Sequence, residues 1–315
     1  MKYIRLFNTV EERNAAVLER PYVVYTKDTD VLEMADEYPI TSAKNAALMS
    51  VCYSQGWAAD EAFMTEEECA AVTDAMLAAT VTSEVVDEQT VYTSAFTNVT
   101  SFSELNYFKG LTTIPSYCFT GCTNLTKIVI PDNITTIASY AFNGCTGFNG
   151  KEVLLPSKLA SLGGAAFNNV ALYKIVLPPT CTSLGSNAFK SAKRIDMSGC
   201  LNFTTLPGLF ANPVWVKIPK NVTKFTAASN IGTYGYNNTR GWLWLDSTIP
   251  FEGFYGFSIA DQFPVRVYVP DDYVNIYKTS TTKINLYGTT WADKAQYIYP
   301  QSQWQTDLDG GYIVL

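Results

Sequence analysis

Histidine is missing from all 315 residues. That absence excludes Ser-His-Asp and Cys-His catalysis, every His-ligated metal site and any imidazole pH switch. Catalysis would have to rest on carboxylates, Lys, Tyr or Cys. Charge is scarce as well: only 16% of residues are charged against 47% hydrophobic, and no cluster of Lys and Arg occurs. With a formal net charge of −7, the chain is expected to have no nucleic-acid partner, because phosphate binding needs a basic patch. No apolar stretch reaches the roughly 18 residues that a membrane-spanning helix needs, so no membrane insertion is expected. Residues 1–20 contain no run resembling a signal-peptide apolar core, and as written the chain is expected to carry no export signal.

Motifs of known chemistry are also lacking. There is no Walker-type glycine loop, no G-x-S-x-G elbow and no C-x-x-C pair. Carboxylates cluster only as the surface runs Glu66-Glu67-Glu68 and Asp271-Asp272. The first fits a helix start, where the dipole favours negative charge. Neither run shows a partner that would make it an acid–base pair. The chain is therefore not expected to be an enzyme, and no cofactor and no metal site are expected.

What is present is a repeat, and a missed repeat mis-assigns a whole fold. A small residue or Cys followed by Phe recurs at Phe119, Phe142, Phe167, Phe189 and Phe210, with spacings of 23, 25, 22 and 21. Five residues before the first four stand Ile114, Ile137, Leu162 and Leu184; Leu206 precedes Phe210 by four. After each Phe an apolar run closes on proline: Ile128–Pro131, Val153–Pro156, Ile175–Pro178 and Val216–Pro219, with Ile195-Asp196-Met197 taking that place in the fourth repeat. Three features recurring in one phase at 20–29 residues describe one turn of a leucine-rich-repeat coil.

The run ending in proline reads as a strand, since proline cannot donate to the next ladder bond. The segments NITTIA, KLASLG and TCTSLG alternate apolar with polar residues and read as an outer strand or extended turn. Between them the Phe drops into the core, predicting a column of stacked rings. Cys122 and Cys145 share one repeat position and read as buried thiols that pack as small hydrophobes. Six N-x-T sequons, at Asn98, Asn124, Asn133, Asn202, Asn221 and Asn237, mostly follow the repeat and read as turn and ladder residues.

The pattern Leu111-Thr-Thr-Ile114, Cys118-Phe119, Gly121-Cys122-Thr-Asn-Leu125 and Ile128-Val-Ile-Pro131 resembles the BspA-like leucine-rich-repeat family. The next coil, Ile134-Thr-Thr-Ile137 to Ala141-Phe142-Asn-Gly-Cys145, matches equally well. The resemblance covers 105–225, with weaker cover to about 300. It implies an α/β fold: a right-handed solenoid of short parallel strands, with a small α-rich N-terminal domain and an aromatic C-terminal cap. It also implies a cell-surface or secreted protein of the adhesion type. Without a leader, the alternatives are a cytoplasmic protein or a structural component of a phage-tail or prophage-encoded particle.

The expected domains are an α-rich one at 1–90, a linker or first coil at 91–104, the repeats at 105–225, and an insertion with degenerate coils and cap at 226–315. Residues 42–57 and 65–79 look helical, with Thr65-x-x-Glu68 as a capping box, and Pro21–Tyr25 reads as a short strand. Members of the family sometimes carry an EF-hand-like calcium loop before the first repeat, at the position of Trp57–Glu68. Such a loop needs oxygen ligands at its positions 1, 3 and 5 and glycine at 6. Here Trp57, Ala59, Glu61 and Ala62 stand there, and only Glu68 is kept.

The expected function is non-catalytic recognition of a protein or glycan. Solenoids present extended faces, and the outward positions of the strands are Lys127, Val129, Lys174, Val176, Trp215 and Lys217. A second candidate is the insertion at 226–242. In and beside it Tyr234, Tyr236, Trp242 and Trp244 stand with Asn237, Asn238 and Arg240, and rigid exposed rings with amide and Arg donors suit a sugar- or protein-binding patch. The competing reading places Trp242 and Trp244 in the core of the cap.

Overall fold

In a computed structural model, residues 4–7, 23–26, 31–34, 38–208, 215–225, 242–250, 266–283 and 289–309 are described. The chain divides into two compact units, Met1–Ala70 and Ala71–Leu315.

The first unit holds more strand than its composition suggested. Ile4–Phe7 pairs in parallel with Val23–Thr26, which pairs antiparallel with Val31–Met34. The helix Ser42–Ser54 starts where Thr41 accepts a hydrogen bond from the Lys44 N–H at 3.2 Å. The second expected helix breaks in two, Glu66–Ala71 and Asp74–Ala78, because Thr73 turns its hydroxyl back to cap Met76 N–H at 3.3 Å. Thr65 and Glu68 form the capping box in both directions: the Glu68 N–H donates to Thr65 Oγ1 at 3.1 Å, and the Thr65 N–H to Glu68 Oε2 at 2.8 Å. The other Glu68 oxygen accepts from the Ala59 N–H at 2.8 Å. The surviving acid of the calcium-loop resemblance thus ties the loop to its own backbone.

The boundary between units lies at Ala70/Ala71, ahead of the expected 90/91. The reason is that Asp74–Ala78 and the following hairpin belong physically to the coils. Asp74 accepts from Thr112 N–H at 2.8 Å, Thr112 Oγ1 at 2.8 Å and Thr113 N–H at 3.0 Å. Burial pushes the Asp74 carboxyl up, but these hydrogen bonds outweigh it and hold it below the ordinary value. The bonds occupy donors of the first strand, Thr113–Ile114, at the edge of its sheet, where an open ladder would otherwise invite pairing. The hairpin Val81–Val86/Gln89–Ser94 closes on Asp87 and Glu88, both with positive φ, 49° and 64°. A two-residue turn left-handed at both positions matches the right-handed twist of its strands.

The solenoid turns contribute short parallel strands to two faces, though at Val153–Pro156 only the bridge Glu152–Lys174 forms. Thr113–Ile114, Thr136–Ile137, Ser161–Leu162 and Ser183–Leu184 align in register as one sheet. The other face is a six-stranded sheet of Ile175–Val176, Arg194–Asp196, Trp215–Ile218, Trp242–Leu245, Arg266–Val269 and Ile298–Pro300, and Lys127–Ile128 pairs with Ser101–Phe102 ahead of it. Between the faces runs the expected ring column. Phe119 and Phe142 stack at 5.1 Å and 10°, Phe142 and Phe167 at 4.9 Å and 7°, and Phe96 extends the column 5.0 Å below Phe119. Phe189 is fully buried in the same phase; Phe210 lies outside the described residues.

The corner between strand and ring forces an unusual backbone. Tyr117, Tyr140, Ala165 and Asn187 occupy one repeat position, with φ of 62°, 59°, 53° and 58°. That conformation turns each N–H along the solenoid axis onto the next coil: Tyr117 to Ser139 O, Tyr140 to Gly164 O, Ala165 to Ser186 O and Asn187 to Gly208 O. Asn adopts it readily; for a bulky residue the left-handed region costs roughly 1–2 kcal/mol. At Gly185 the coils approach so closely that an added Cβ would lie 2.1 Å from Gly164 N.

The sequon asparagines stitch neighbouring coils. Asn124 Nδ2 donates to Thr97 O at 3.0 Å, Asn133 Nδ2 to Leu111 O at 2.7 Å, and Asn221 Nδ2 to Leu201 O at 2.7 Å. All seven cysteines are buried and none forms a disulfide. Burial raises Cys122 and Cys181 to about 11 and Cys200 to about 12, so these sulfurs remain thiols that pack and do not attack.

Candidate binding face

The six-stranded sheet turns one side inward and one outward. Ile175, Ile195, Val216, Leu243, Val267 and Ile298 share a register row and are all buried. One residue on, Val176, Asp196, Lys217, Trp244, Tyr268 and Tyr299 form an outward row. A second outward row runs Arg194, Trp215, Trp242 and Arg266. Taken with the Ser101–Phe102/Lys127–Ile128 pair and the extended run Val153–Pro156 that precede the sheet, this outward side has two unlike halves.

The first half is open. Val129, Leu154 and Val176 hold the same repeat position and are 44%, 81% and 47% exposed. Lys127 is exposed and Lys174 half-exposed beside them, and Glu152 bridges to Lys174 through the backbone. Arg194 closes this half: its guanidinium lies 3.9 Å from the centre of the Tyr173 ring. Burial pulls the Arg194 pKa down and the carboxylate of Glu152 opposes that shift. Leu154 was not singled out from sequence. It stands in the run Val153-Leu154-Leu155, where no alternation marks which leucine faces out.

The second half is covered. Trp215, read from sequence as an exposed strand position, is only 6% exposed and stacks on Trp242 at 4.8 Å and 11°. The covering element is the short helix Trp304–Asp309, reached after Pro300 ends the last strand. Trp304 sits edge-on to Trp242, Trp244 and Tyr268, with ring centres at 4.2, 5.4 and 5.2 Å. Trp215 is therefore removed from the candidate contacts by a segment about ninety residues further on. Trp242 is likewise buried and Trp244 half-buried, its Nε1 donating to Asp246 Oδ1 at 2.7 Å. Both are packed under the cap, but from the outward side of the sheet and not facing inward: the inward residues of this strand are Leu243 and Leu245. Lys217 keeps part of its exposure, yet its ammonium lies 3.8 Å from Asp196 and 5.6 Å from the Trp244 ring centre.

The covering helix is locked by charge. Asp307 is buried, pairs with Arg266 and accepts from Tyr268 OH at 2.5 Å and from Gln303 Nε2 at 3.3 Å. Burial pushes the Asp307 carboxyl up; the donors, Arg266 first, outweigh this and hold it below the ordinary value. Burial and the Asp307 carboxylate raise the Tyr268 phenol.

Tyr234, Tyr236, Asn237 and Arg240 lie outside the described residues. Among the described residues no group of three or more His, Cys, Asp or Glu side chains could hold a metal ion. No described helix is long and apolar enough to cross a membrane.

A family profile described as BspA type leucine rich repeat region matches residues 79–196 in six copies, starting just ahead of the hairpin. Among solved structures, a leucine-rich repeat protein from Bacteroides ovatus is 17% identical with a TM-score of 0.28, covering 59% of this chain and 61% of that one. A leucine rich cell surface protein from Faecalibacterium prausnitzii is 15% identical with a TM-score of 0.23, covering 66% of this chain and 79% of that one. The chain thus spans less than two thirds of the first of these proteins. No curated protein matches the sequence.

Proposed function

We propose that this chain, whose coils belong to the BspA-type leucine-rich-repeat family, is a non-catalytic recognition protein of the adhesion type. It would bind a protein partner through the open half of its strand face and act at a cell surface or as a secreted protein. The observation that carries this reading is Leu154, a leucine 81% exposed at the middle of the Val129–Leu154–Val176 row. Aliphatic side chains exposed in a contiguous row mark interaction sites more often than single exposed ones do. Lys127 and Lys174 flank the row and would steer a partner whose rim is acidic, while the apolar row supplies the affinity.

The test is binding to an array of extracellular-matrix proteins by the native chain and by Leu154→Ser. The variant is expected to lose about tenfold in affinity, equivalent to about 1.4 kcal/mol. Its melting temperature should stay within the range of an ordinary surface change, about ±0.5 kcal/mol. Equal affinity for the two chains would move the interface off this face.

A further inference from the structure

The left-handed corner carries a feature that neither the core nor the strand face uses. Tyr92 of the hairpin, Tyr117 and Tyr140 form a ladder of parallel rings, 3.8 Å and 9° for the first step, 5.0 Å and 2° for the second. The outer rungs, Tyr92 and Tyr140, are each 38% exposed. Val85, 73% exposed, extends the same side of the hairpin, since Ser83 and Thr90 are its neighbours across and beside Tyr92. Tyr117 and Tyr140 are not core residues; the core position is the Phe two residues later, Phe119 and Phe142. They are also not what the backbone asks for. At the same corner the fourth coil holds Asn187, a residue suited to positive φ, and the third holds Ala165. Two large rings at an unfavourable backbone position, left half in water, point to the ring surface itself as the thing retained.

The chemistry of the surroundings selects the ligand. Thr90–Thr93, Pro115–Tyr117, Ala138–Tyr140, Gly163–Ala165 and Gly185–Asn187 contain no charged residue. Ring faces, phenol hydroxyls, the exposed Ser116 and Ser186 and the exposed Asn187 amide make up the corner. A charged partner finds no counter-ion in these stretches, since Glu84 of the paired hairpin strand lies opposite Val91 and so on the other side from Tyr92; an anionic partner is repelled by a chain of net charge −7. Beyond Tyr140 the ladder stops at Ala165, so one ring face is left without a fourth aromatic rung. We propose that this ladder is a binding site for uncharged carbohydrate. A pyranose ring would set its C–H face against Tyr140 and turn its hydroxyls to Ser186, Asn187 and the tyrosine hydroxyls. This site is distinct from the strand face and stands or falls separately from it.

The experiment is an array of neutral glucose, galactose and mannose homo-oligosaccharides beside sialylated and sulfated ones, probed with the native chain, Tyr140→Asn and Leu154→Ser. The native chain and Leu154→Ser should retain neutral oligosaccharides equally. Tyr140→Asn should bind at least tenfold more weakly while melting at the same temperature or higher, because asparagine suits the left-handed corner. Native binding confined to anionic glycans, no binding of any glycan, or full binding by Tyr140→Asn would each overturn the assignment. Loss of matrix-protein binding in Tyr140→Asn without glycan binding would also overturn it, and would leave recognition as the function. Should Tyr140→Asn fail to fold, the native chain with ring-13C tyrosine serves instead. Titration with the neutral oligosaccharides should shift ladder resonances, and unmoved resonances would refute the site.

Discussion

Replacing Asp307 by alanine is expected to destabilise the C-terminal part of the solenoid by about 3 kcal/mol, the lower end of what deleting one partner of a buried ion pair costs. The carboxylate is the single acceptor on which Arg266, Tyr268 and Gln303 converge. Its removal takes from Arg266, which lies 4.7 Å from the centre of the Tyr299 ring, the buried carboxylate that pairs with it. The helix Trp304–Asp309 has only six residues and no propensity to stand alone, so its position depends on these bonds and on the Trp304 contacts. The change should be read by urea unfolding and by tryptophan emission, because loosening the helix lets water reach Trp242 and Trp244. The pH dependence gives a second readout. A carboxyl held below its ordinary value contributes stability above the unfolded pKa, about 3.9, and loses it as pH falls through the lower folded value. The native chain should therefore shift its tryptophan emission to the red in acid below about pH 4, in a step absent from Asp307→Ala. An unchanged midpoint in urea would mean that ring packing alone holds the helix.

This same helix marks where the sequence stops being legible. Phase alone places the strands, the Phe column and the proline ends, because each is set by residues within one coil. The outward position of Trp215 follows from alternation and is correct. Its burial does not follow, since it is decided by Trp304, whose own segment has no repeat phase to place it. Leu154 fails for the opposite reason: Val153-Leu154-Leu155-Pro156 is apolar throughout, and only its exposure, at the repeat position shared with Val129 and Val176, shows which residue faces out. Tyr117 and Tyr140 stand where Asn187 alone carries a recognisable signal of positive φ, so the corner's backbone, and the ladder it builds, are invisible from composition. Of the N-terminal sheet only the middle strand was legible, Pro21–Tyr25 against the observed Val23–Thr26; Ile4–Phe7 and Val31–Met34 are four residues each, too short to carry a pattern, and the helix pair around Thr73 escaped because a threonine reads equally as helix surface or cap.

The ring column sets the other large expectation. Phe142→Ala should lower stability by about 3–5 kcal/mol, the usual range for removing a fully buried aromatic ring, and Phe142→Leu by less than about 1.5 kcal/mol. Phe142 is fully buried with a ring stacked on each side, so alanine leaves a void bounded by Phe119 and Phe167 that neither can fill without giving up its own stacking. In a solenoid each coil touches only its neighbours, and stability is a sum of coil and interface contributions. A void at Phe142 weakens two interfaces at once. It should therefore lower hydrogen-exchange protection first at the corner amides that bridge them, Phe119 N–H to Ala141 O and Phe142 N–H to Ala166 O. The amides of the six-stranded sheet from Trp215 onward, held by their own row of buried aliphatics and by the Asp307 lock, should keep theirs. Loss of protection spread evenly over every coil would show that the solenoid unfolds as one block, and that the column fills space without carrying the coupling between turns.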